Sequence, residues 1–277
     1  HEKLSIAALK AGKHVLCEKP LALNYAEARR MVVAARNSGL QNMVNFSYRD
    51  APALQHARQL VSDGVIGEVL HLEARYLQSW LSSRVWGDWR SDPAWLWRLS
   101  SQHGSKGVLG DIGVHILDFA SYPVERQTGP IEAVHCTLQT FSGVKGEQLG
   151  EYTLDANDSA VINARFANGA LASIHTSRWA TGHINALYLG VYGTKGGIKI
   201  DLDESPDMLR LCDEQHKDQA QWQMLSCPPT PNNYERFVRS IRTGRAEAPD
   251  FGRGAEIQKL LDACFSSHAE RGRLQEV

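Results

Sequence analysis

The sequence predicts an α/β segment with a parallel sheet, followed by a larger α+β part with a large, open and mostly antiparallel sheet. Two observations lead to this prediction. Over the first 50 residues, helical and strand patterns alternate with short connections, an order that implies parallel strands joined by crossover helices. Further along, strand patterns follow one another through short turns, which indicates antiparallel pairing. We therefore expect two domains, 1–50 and 51–277.

The first part of the chain contains two helix–strand pairs. Asn24, with Glu27 three residues later, forms a capping-box pattern that predicts the start of a helix, and Gly39 is placed to end it. The other predicted elements of this part are a helix at 2–10 and strands at 14–17 and 42–48. Together they make half of a doubly wound domain, and half a sheet would leave an open apolar edge.

The second part begins with a helix and continues mainly as strands. Asp50 is predicted to cap that helix, and Pro52 fits its first turn, where the missing N–H is harmless. Apolar and polar residues alternate over 70–76, as in a strand with one buried face. The Asn-Gly pair at 168–169 predicts a hairpin with a type I′ turn. Further strands are predicted near 131–141, 159–167, 170–179, 184–193 and 197–202, and closing helices near 233–243 and 254–270.

Composition excludes several classes of protein. The chain has 277 residues, 43% hydrophobic and 22% charged, with a formal charge of −1 that gives no field to attract nucleic acid or an anionic membrane. No apolar stretch approaches the ~18 residues of a membrane span. The five cysteines are far apart and form no C-x-x-C pair, so we predict neither disulfides nor a metal site and expect reduced thiols in the cytoplasm.

Two short strings carry groups suited to catalysis. Lys19 follows a strand and precedes a proline, at the sheet edge where open α/β sheets bind ligands. Asp111 and His115 are four residues apart and share a face if residues 106–122 form an α-helix. An amine, a carboxylate and an imidazole can together move a proton on or off a sugar-like hydroxyl. A solvated turn lysine and a capped helix with a core histidine explain the same residues equally simply.

Five of the seven tryptophans lie close together in the sequence, between elements of the second part. Indole faces suit the C–H surfaces of sugars, and the indole N–H can bond a hydroxyl. Core packing or a subunit contact explains such a cluster equally well, so both interpretations stay open at this point. The residues are Trp80, Trp86, Trp89, Trp95 and Trp97.

Residues 11–22 (AGKHVLCEKPLA) resemble a signature of the Gfo/Idh/MocA family, the glucose–fructose oxidoreductase and inositol dehydrogenase-like enzymes. Ordered matches spread over the whole chain make this resemblance more specific than either catalytic string. It implies an NAD- or NADP-dependent oxidoreductase of sugars, cyclitols or related polyols. It also implies a Rossmann domain, present here in part, and an open sheet whose face packs against another subunit in a homodimer or homotetramer. The further matches are at 45–49, 66–69, 109–115, 192–197 and 249–252.

The resemblance assigns roles to individual residues. It implies that Lys19 is the active-site lysine, Asp111 a substrate-binding carboxylate and His115 the acid/base. The turn at Glu18 and Pro20 falls on the cofactor side, near the nicotinamide. We predict that the tryptophan-rich segment forms one wall of the substrate site. The further substrate contacts that we predict are Arg49, Trp97 and Arg98.

The G-x-G-x-x-G turn of the family does not occur in this sequence. That turn cradles the cofactor pyrophosphate in the first βαβ unit, so we expect the chain to be part of a longer enzyme. Two alternatives remain: a glycoside-cleaving relative that uses transient oxidation by NAD, and an inactive sugar-binding or assembly subunit. The sequence does not specify the sugar, the reacting hydroxyl or the choice between NAD and NADP.

Overall fold

The structure, a computed structural model, describes residues 1–141 and 145–277. The helices are α1 (Glu2–Lys10), α2 (Tyr25–Ser38), α3 (Pro52–Ser62), α4 (Pro93–Leu96), α5 (Val114–Ser121), α6 (Glu125–Thr128), α7 (Asn233–Thr243) and α8 (Phe251–Ala269). The strands are β1 (Val15–Cys17), β2 (Asn42–Val44), β3 (Val69–Leu77), β4 (Ile131–Gln139), β5 (Glu147–Leu149), β6 (Tyr152–Leu154), β7 (Ser159–Phe166), β8 (Leu171–Ser177), β9 (Ala186–Gly193), β10 (Gly197–Asp201), β11 (Met208–Cys212), β12 (Gln223–Ser226) and β13 (Gln275–Glu276).

The strands form two main sheets, as the sequence predicts. Strands β1 and β2 pair in parallel, joined by the crossover helix α2. The large sheet has nine strands in the order β12-β11-β10-β9-β3-β8-β7-β4-β13. Its pairs are antiparallel except β3 with β8, which are parallel. A separate hairpin, β5–β6, stands apart from both sheets. The predicted fold class is confirmed.

Helix α2 shows how local sequence determines the first part of the fold. The side-chain oxygen of Asn24 accepts a hydrogen bond from the backbone N–H of Glu27 at 3.0 Å, which satisfies one of the free donors at the helix start. Gly39 ends the helix in the left-handed conformation, with φ of 65°. The buried face carries Ala28 and Met31, at helical spacing. The predicted start and end of this helix are both confirmed.

Two local predictions near the junction of the two parts are wrong. Helix α3 is preceded by Ala51 with no side-chain cap, because the Asp50 carboxylate instead accepts a hydrogen bond from the Arg236 guanidinium at 2.9 Å. Strand β2 ends at Val44, and residues Ser47–Asp50 form a 3₁₀ turn. In both places, a partner distant in the sequence or a change of chain direction overrides the local pattern.

The predicted hairpin at 168–169 joins β7 to β8, but its turn differs from the prediction. Type I′ geometry needs positive φ at both central residues. Only Gly169, with φ of 90°, adopts it, while Asn168 does not. The Asn168 side chain instead accepts a hydrogen bond from the backbone N–H of Ala170 at 2.9 Å, and this local bond holds the turn.

The main core lies between the large sheet and the helices on one of its faces. Helix α5 packs against β3, β8 and β9, and α8 packs against β4 on one side and α2 and β2 on the other. Helix α8 therefore ties the two sheets together. The opposite face of the large sheet has no helix over it in the described part of the chain, and it carries exposed apolar side chains such as Val161 and Leu171. None of the helices described is long and apolar enough to span a membrane.

Candidate active site

A cleft lies where the carboxyl end of β1 faces the helical segment that leads into α5. The turn after β1 supplies Glu18, Lys19 and Pro20 to one side of the cleft, and the facing segment supplies Asp111. The Lys19 ammonium donates to the Asp111 backbone carbonyl at 2.7 Å and to its carboxylate at 3.1 Å. The cavity volume is about 430 Å³, within the ordinary range for small-molecule sites.

The sequence suggests an α-helix over 106–122, but the segment that carries Asp111 is not a regular α-helix. Residues Leu109–Gly113 form a π-helical turn, and α5 continues from it. A Cβ on Gly110 would lie 2.3 Å from the Lys106 Cβ, so a larger residue does not fit this turn. Such π turns within helices are frequent at functional sites. Here the turn aims the Asp111 carboxylate at Lys19, while His115 follows in the α-helical part.

Asp111 is surrounded by positive charge. Its second carboxylate oxygen accepts from the Arg178 guanidinium at 2.8 Å, and the Arg98 Nε lies 3.7 Å from the same oxygen. Burial raises the pKa of Asp111, but Arg178 and Lys19 more than offset this and hold the pKa well below its usual range. The carboxylate is therefore ionised at neutral pH, and its hydrogen bonds orient Lys19 and Arg178.

His115 lies in the interior next to this cluster. It is 7% exposed, and its Nδ1 is buried without a hydrogen-bond partner among the described residues. The imidazole packs edge-on against the Tyr48 ring at 4.9 Å between centroids. Burial lowers the pKa of His115 to about 3, and the positive charge of Lys19 acts in the same direction. The imidazole is therefore neutral at physiological pH, and a neutral imidazole has one ring nitrogen that can accept a hydrogen bond.

A hydrogen-bonded set of side chains supports the imidazole, and sequence reasoning missed it. The hydroxyl oxygens of Tyr48 and Tyr76 are 2.6 Å apart. Asn185 donates to the Tyr48 hydroxyl at 2.8 Å and accepts from the Tyr76 hydroxyl at 2.6 Å. This closed set holds the Tyr48 ring against His115. The aromatic positions were visible in the sequence, but their mutual contacts, over separations of 28 to 137 residues, were not.

Sequence reasoning also missed Arg178. It is 0% exposed, and its guanidinium also donates to the backbone carbonyl of Arg98 at 3.1 Å. One signal could have revealed it. Arg178 shares the alternation of Ile174 and Thr176 on β8, whose side chains are buried, so a charge at this position had to find a partner inside the protein.

The structure does not bring Arg49 into the cleft. This side chain is 2% exposed, and its guanidinium makes two hydrogen bonds to Asp118, at 2.6 and 2.7 Å. Arg253 donates to the same carboxylate at 2.8 Å. The expected substrate contact of Arg49 does not fit this position, because the guanidinium is already engaged with a buried carboxylate. Asp118 lies one helical turn after His115, so the ion pair anchors the helix that carries the imidazole.

The tryptophan cluster divides between packing and the cleft. Trp80 and Trp89 are buried and pack edge-on at 6.3 Å in a small second core, which Trp95 joins. Trp97, 40% exposed, lines the cleft together with Arg98. Most of the cluster therefore serves core packing, and Trp97 supplies the part of the wall that a ligand can reach.

The residues on the β1 side of the cleft fit the nicotinamide end of the cofactor that the resemblance implies. The cleft opens at the carboxyl end of a parallel pair of strands, where doubly wound folds bind dinucleotides. The Glu18 carboxylate accepts from the Asn45 amide at 2.8 Å and is thereby held at the rim. Glu18 and Pro20 would border the nicotinamide. The 277 residues contain no G-x-G-x-x-G turn to hold the pyrophosphate.

Comparison with known proteins identifies the family. Residues 54–199 match the GFO/IDH/MocA C-terminal domain, and residues 1–46 match the oxidoreductase family with an NAD-binding Rossmann fold. Levoglucosan dehydrogenase of Pseudarthrobacter phenanthrenivorans is 28% identical over 98% of this chain and 75% of its own length. Myo-inositol 2-dehydrogenase of Thermotoga maritima is 27% identical over 100% of this chain and 77% of its own.

Solved structures agree with these matches. A levoglucosan dehydrogenase in complex with NADH and levoglucosan superimposes with a TM-score of 0.87 at 28% identity, and an oxidoreductase domain protein from Kribbella flavida with 0.87 at 34%. Each superposition covers 100% of this chain and 77% of the other, so the chain spans about three quarters of these relatives. The predictions of family, enzyme class and cofactor class are confirmed. The chain therefore belongs to the GFO/IDH/MocA family of oxidoreductases, which bind NAD on a Rossmann fold.

Proposed function

We propose that this oxidoreductase transfers a hydride between nicotinamide and a secondary hydroxyl-bearing carbon of a sugar or cyclitol. The observation that carries the proposal is the contact of Lys19 with Asp111 at the end of a parallel strand pair. His115 lies behind the cleft lining, close enough for the charges of both residues to act on its pKa. The relatives named levoglucosan dehydrogenase and myo-inositol 2-dehydrogenase support this substrate class. They favour net oxidation or reduction over the glycoside-cleaving and non-catalytic alternatives.

In the oxidative direction, His115 takes the hydroxyl proton. Since Nδ1 is buried, Nε2 is the nitrogen that accepts it. A bound nicotinamide would supply the hydride acceptor for the carbon. Lys19 donates a hydrogen bond to the oxygen as negative charge develops on it, which lowers the barrier because the donor is already in place. Asp111 holds the Lys19 ammonium in position through two contacts on the same residue.

The charge distribution suits this step. An ionised Asp111 beside Lys19 and Arg178 leaves an excess of positive charge where the alkoxide would form. The imidazole of His115 is neutral and so accepts a hydrogen bond from the substrate hydroxyl. Because burial makes it a weak base, it takes the proton fully only as hydride transfer makes the hydroxyl proton more acidic. The alkoxide would therefore form beside positive charge, and the proton would leave beside a neutral imidazole.

The test is NADH formation from NAD⁺ with a panel of levoglucosan, myo-inositol and methyl glucosides. We expect His115→Ala to lower turnover by about 10²- to 10⁴-fold, the usual contribution of a general base. His56→Ala is the matched control, because His56 lies on α3 outside the cleft. Circular dichroism of both variants checks that the fold is retained.

Three outcomes would count against the proposal. Near-normal turnover of His115→Ala would remove the assigned role of the imidazole. Failure of every sugar and cyclitol, with another alcohol oxidised instead, would remove the substrate class. Release of an aglycone without net NADH would establish the glycoside-cleaving alternative.

We also propose the division of the chain into 1–50 and 51–277, a homo-oligomer and a cytoplasmic location. The division is supported by the separate sheets and by family matches that change between residues 46 and 54. Self-association through the open sheet face is supported by exposed apolar side chains there, Val161 at 53% and Leu171 at 56%. The location is supported by five cysteines that are all free and buried.

Light scattering of wild type and of a Leu171→Glu variant tests the oligomer. We expect the variant to have a lower mass than wild type, and a wild-type mass equal to that of the monomer would contradict self-association.

A further inference from the structure

Asp158, directly before β7, is a buried acid to which the proposed reaction assigns no role. It is 0% exposed and lies outside the lining of the cleft. One carboxylate oxygen, Oδ2, accepts a hydrogen bond from the backbone N–H of Phe141 at 2.8 Å. The other, Oδ1, is buried without a hydrogen-bond partner among residues 1–141 and 145–277. A buried carboxylate that is only partly hydrogen-bonded is unfavourable unless a positive charge compensates it.

Arg178 lies directly opposite Asp158 in the large sheet. Ser159 of β7 pairs with Ser177 of β8. The next pair in this antiparallel register is Asp158 with Arg178, and the backbone N–H of Arg178 donates to the Asp158 carbonyl at 3.0 Å. Both residues are 0% exposed, so both side chains belong to the buried face of the sheet. Residues opposite each other in this way have their Cβ atoms about 4.5–5.5 Å apart, so the two charges are close neighbours.

Arg178 has a donor that no described residue uses. Its Nη2 donates to Asp111 and its Nη1 to the backbone carbonyl of Arg98, but Nε is buried and unpartnered within the described part of the chain. No direct ion pair joins Arg178 to Asp158 among the same residues, so the two side chains interact through their charges. Burial lowers the pKa of Arg178, and the charges of Asp111 and, less strongly, Asp158 oppose this effect. The two carboxylates therefore stabilise one buried cation together.

The result is a row of four alternating charges that leads from the cleft into the sheet. The Lys19 ammonium donates to one Asp111 carboxylate oxygen at 3.1 Å, and Arg178 donates to the other at 2.8 Å. Asp158 forms the inner end of the row, behind Arg178. The side chains of the outer two residues are 21% and 28% exposed, whereas the inner two are fully buried. Each charge therefore acts strongly on the next, because water and salt screen buried charges much less than exposed ones.

We infer that Asp158 is a positioning residue, which acts on the reaction by holding Arg178 and, through it, the Asp111 carboxylate that orients Lys19. The inference rests on the proposed function, because it requires Lys19 to donate to the reacting oxygen. Asp158 is outside the cleft lining, so it does not act by touching a ligand there. Without its charge, the Arg178 guanidinium would be held from one side only. Small displacements of a group that orients a catalytic donor reduce the rate strongly.

The first test is a double-mutant cycle of Asp158→Asn and Arg178→Met on the unfolding constant, measured by urea denaturation. Asparagine has the size of aspartate and keeps an oxygen for the N–H of Phe141, so the change removes little besides the charge. Asp158→Asn should destabilise wild type, because Arg178 loses a counter-charge. In the Arg178→Met background the same change should be stabilising, because it removes a buried carboxylate that has lost its cation. The coupling should reach about tenfold in the unfolding constant, and equal destabilisation in both backgrounds would overturn the inference.

The second test runs the same cycle on kcat and kcat/KM, with NAD⁺ and the best alcohol substrate of the panel. Asp158→Asn should lower both by about 3- to 30-fold in wild type, and by less than about twofold in the Arg178→Met background, because its effect passes through Arg178. A purely structural role would change the unfolding constant and leave kcat of the folded enzyme intact. That result would overturn the inference, and so would equal losses of kcat in both backgrounds.

Asp262→Asn is the matched control, because the Asp262 carboxylate also accepts from a backbone N–H, that of Tyr25 at 2.7 Å, but lies outside the cleft. It should show no coupling with Arg178→Met in either measurement. If no sugar or cyclitol is oxidised, the proposed function is contradicted, and the unfolding cycle still decides whether Asp158 and Arg178 act as a pair. If sugars are oxidised but Asp158→Asn leaves kcat unchanged, the inference fails and the proposed function stands.

Discussion

The buried imidazole of His115 makes a prediction about the pH dependence of stability. Its pKa is lowered by burial to about 3, whereas an exposed histidine titrates near 6.5. Between these values the unfolded chain binds a proton at this position and the folded chain does not. Folding stability is therefore lost as the pH falls from the unfolded pKa towards the folded one, and it is unaffected by this group above the unfolded pKa.

The size of this effect follows from the two pKa values. Within that window, each pH unit costs about 1.4 kcal/mol of unfolding free energy. Between about pH 7 and about pH 4.5, His115 should account for a loss of about 2.5 kcal/mol. The replacement His115→Gln removes the titrating group. Whatever the stability of the variant at neutral pH, the difference in unfolding free energy between variant and wild type should shift in favour of the variant by that amount on acidification.

The assay is urea denaturation of both proteins at the two pH values. Carboxylates such as Asp111 also titrate, but they are present in both proteins and cancel in the difference. His56→Gln, on α3 outside the cleft, is the control for loss of a histidine elsewhere. Parallel stability curves for wild type and His115→Gln would refute the reasoning, because the imidazole would then be solvated enough to titrate normally in the folded protein.

Two ion pairs in or near the cleft give further predictions. Arg49→Met leaves the Asp118 carboxylate buried with one partner fewer, so we expect a loss of about 3–5 kcal/mol in unfolding free energy by urea denaturation. Both Arg49 and Arg58 lie over the Tyr122 ring, at 4.0 and 4.1 Å, but the ion pair of Arg58 with Glu125 is more exposed. Arg58→Met should therefore cost much less; equal losses would contradict a structural role for Arg49. Arg178→Met should raise the pKa of Asp111 and lower kcat/KM by about tenfold or more. The acidic limb of the kcat/KM profile should move to higher pH, and Arg178→Lys should restore part of the activity. An unchanged pH profile would mean that Arg178 only fills space.

The parts of the fold that follow from local pattern were predictable from the sequence. Helix α2 begins and ends where its cap and its glycine predict, because both act within a few residues. Strand β3 follows its alternation. The cap predicted at Asp50 failed because Arg236, distant in the sequence, binds the carboxylate. The π turn at Leu109–Gly113 could not be predicted from the hydrophobic pattern, because its apolar and small residues also fit an α-helix.

The site divides in the same way. Lys19 and Asp111 could be singled out from short strings, and the position of Lys19 at the cleft follows from its place directly after a strand. Trp97 belongs to a tryptophan-rich segment that the sequence explains equally well by core packing. Arg49 was assigned to the substrate because nothing near it in the sequence shows the partner that binds it.

The sequence by itself determined the order of helices and strands, the family and the groups available for proton transfer. Only the tertiary structure decided which charges meet: Arg178 with Asp111, 67 residues apart, and Arg49 with Asp118, 69 apart. Hydrophobic periodicity records which face of an element is buried, and caps record where it ends. Neither records the partner across the core, because that partner is set by the packing of whole elements against one another.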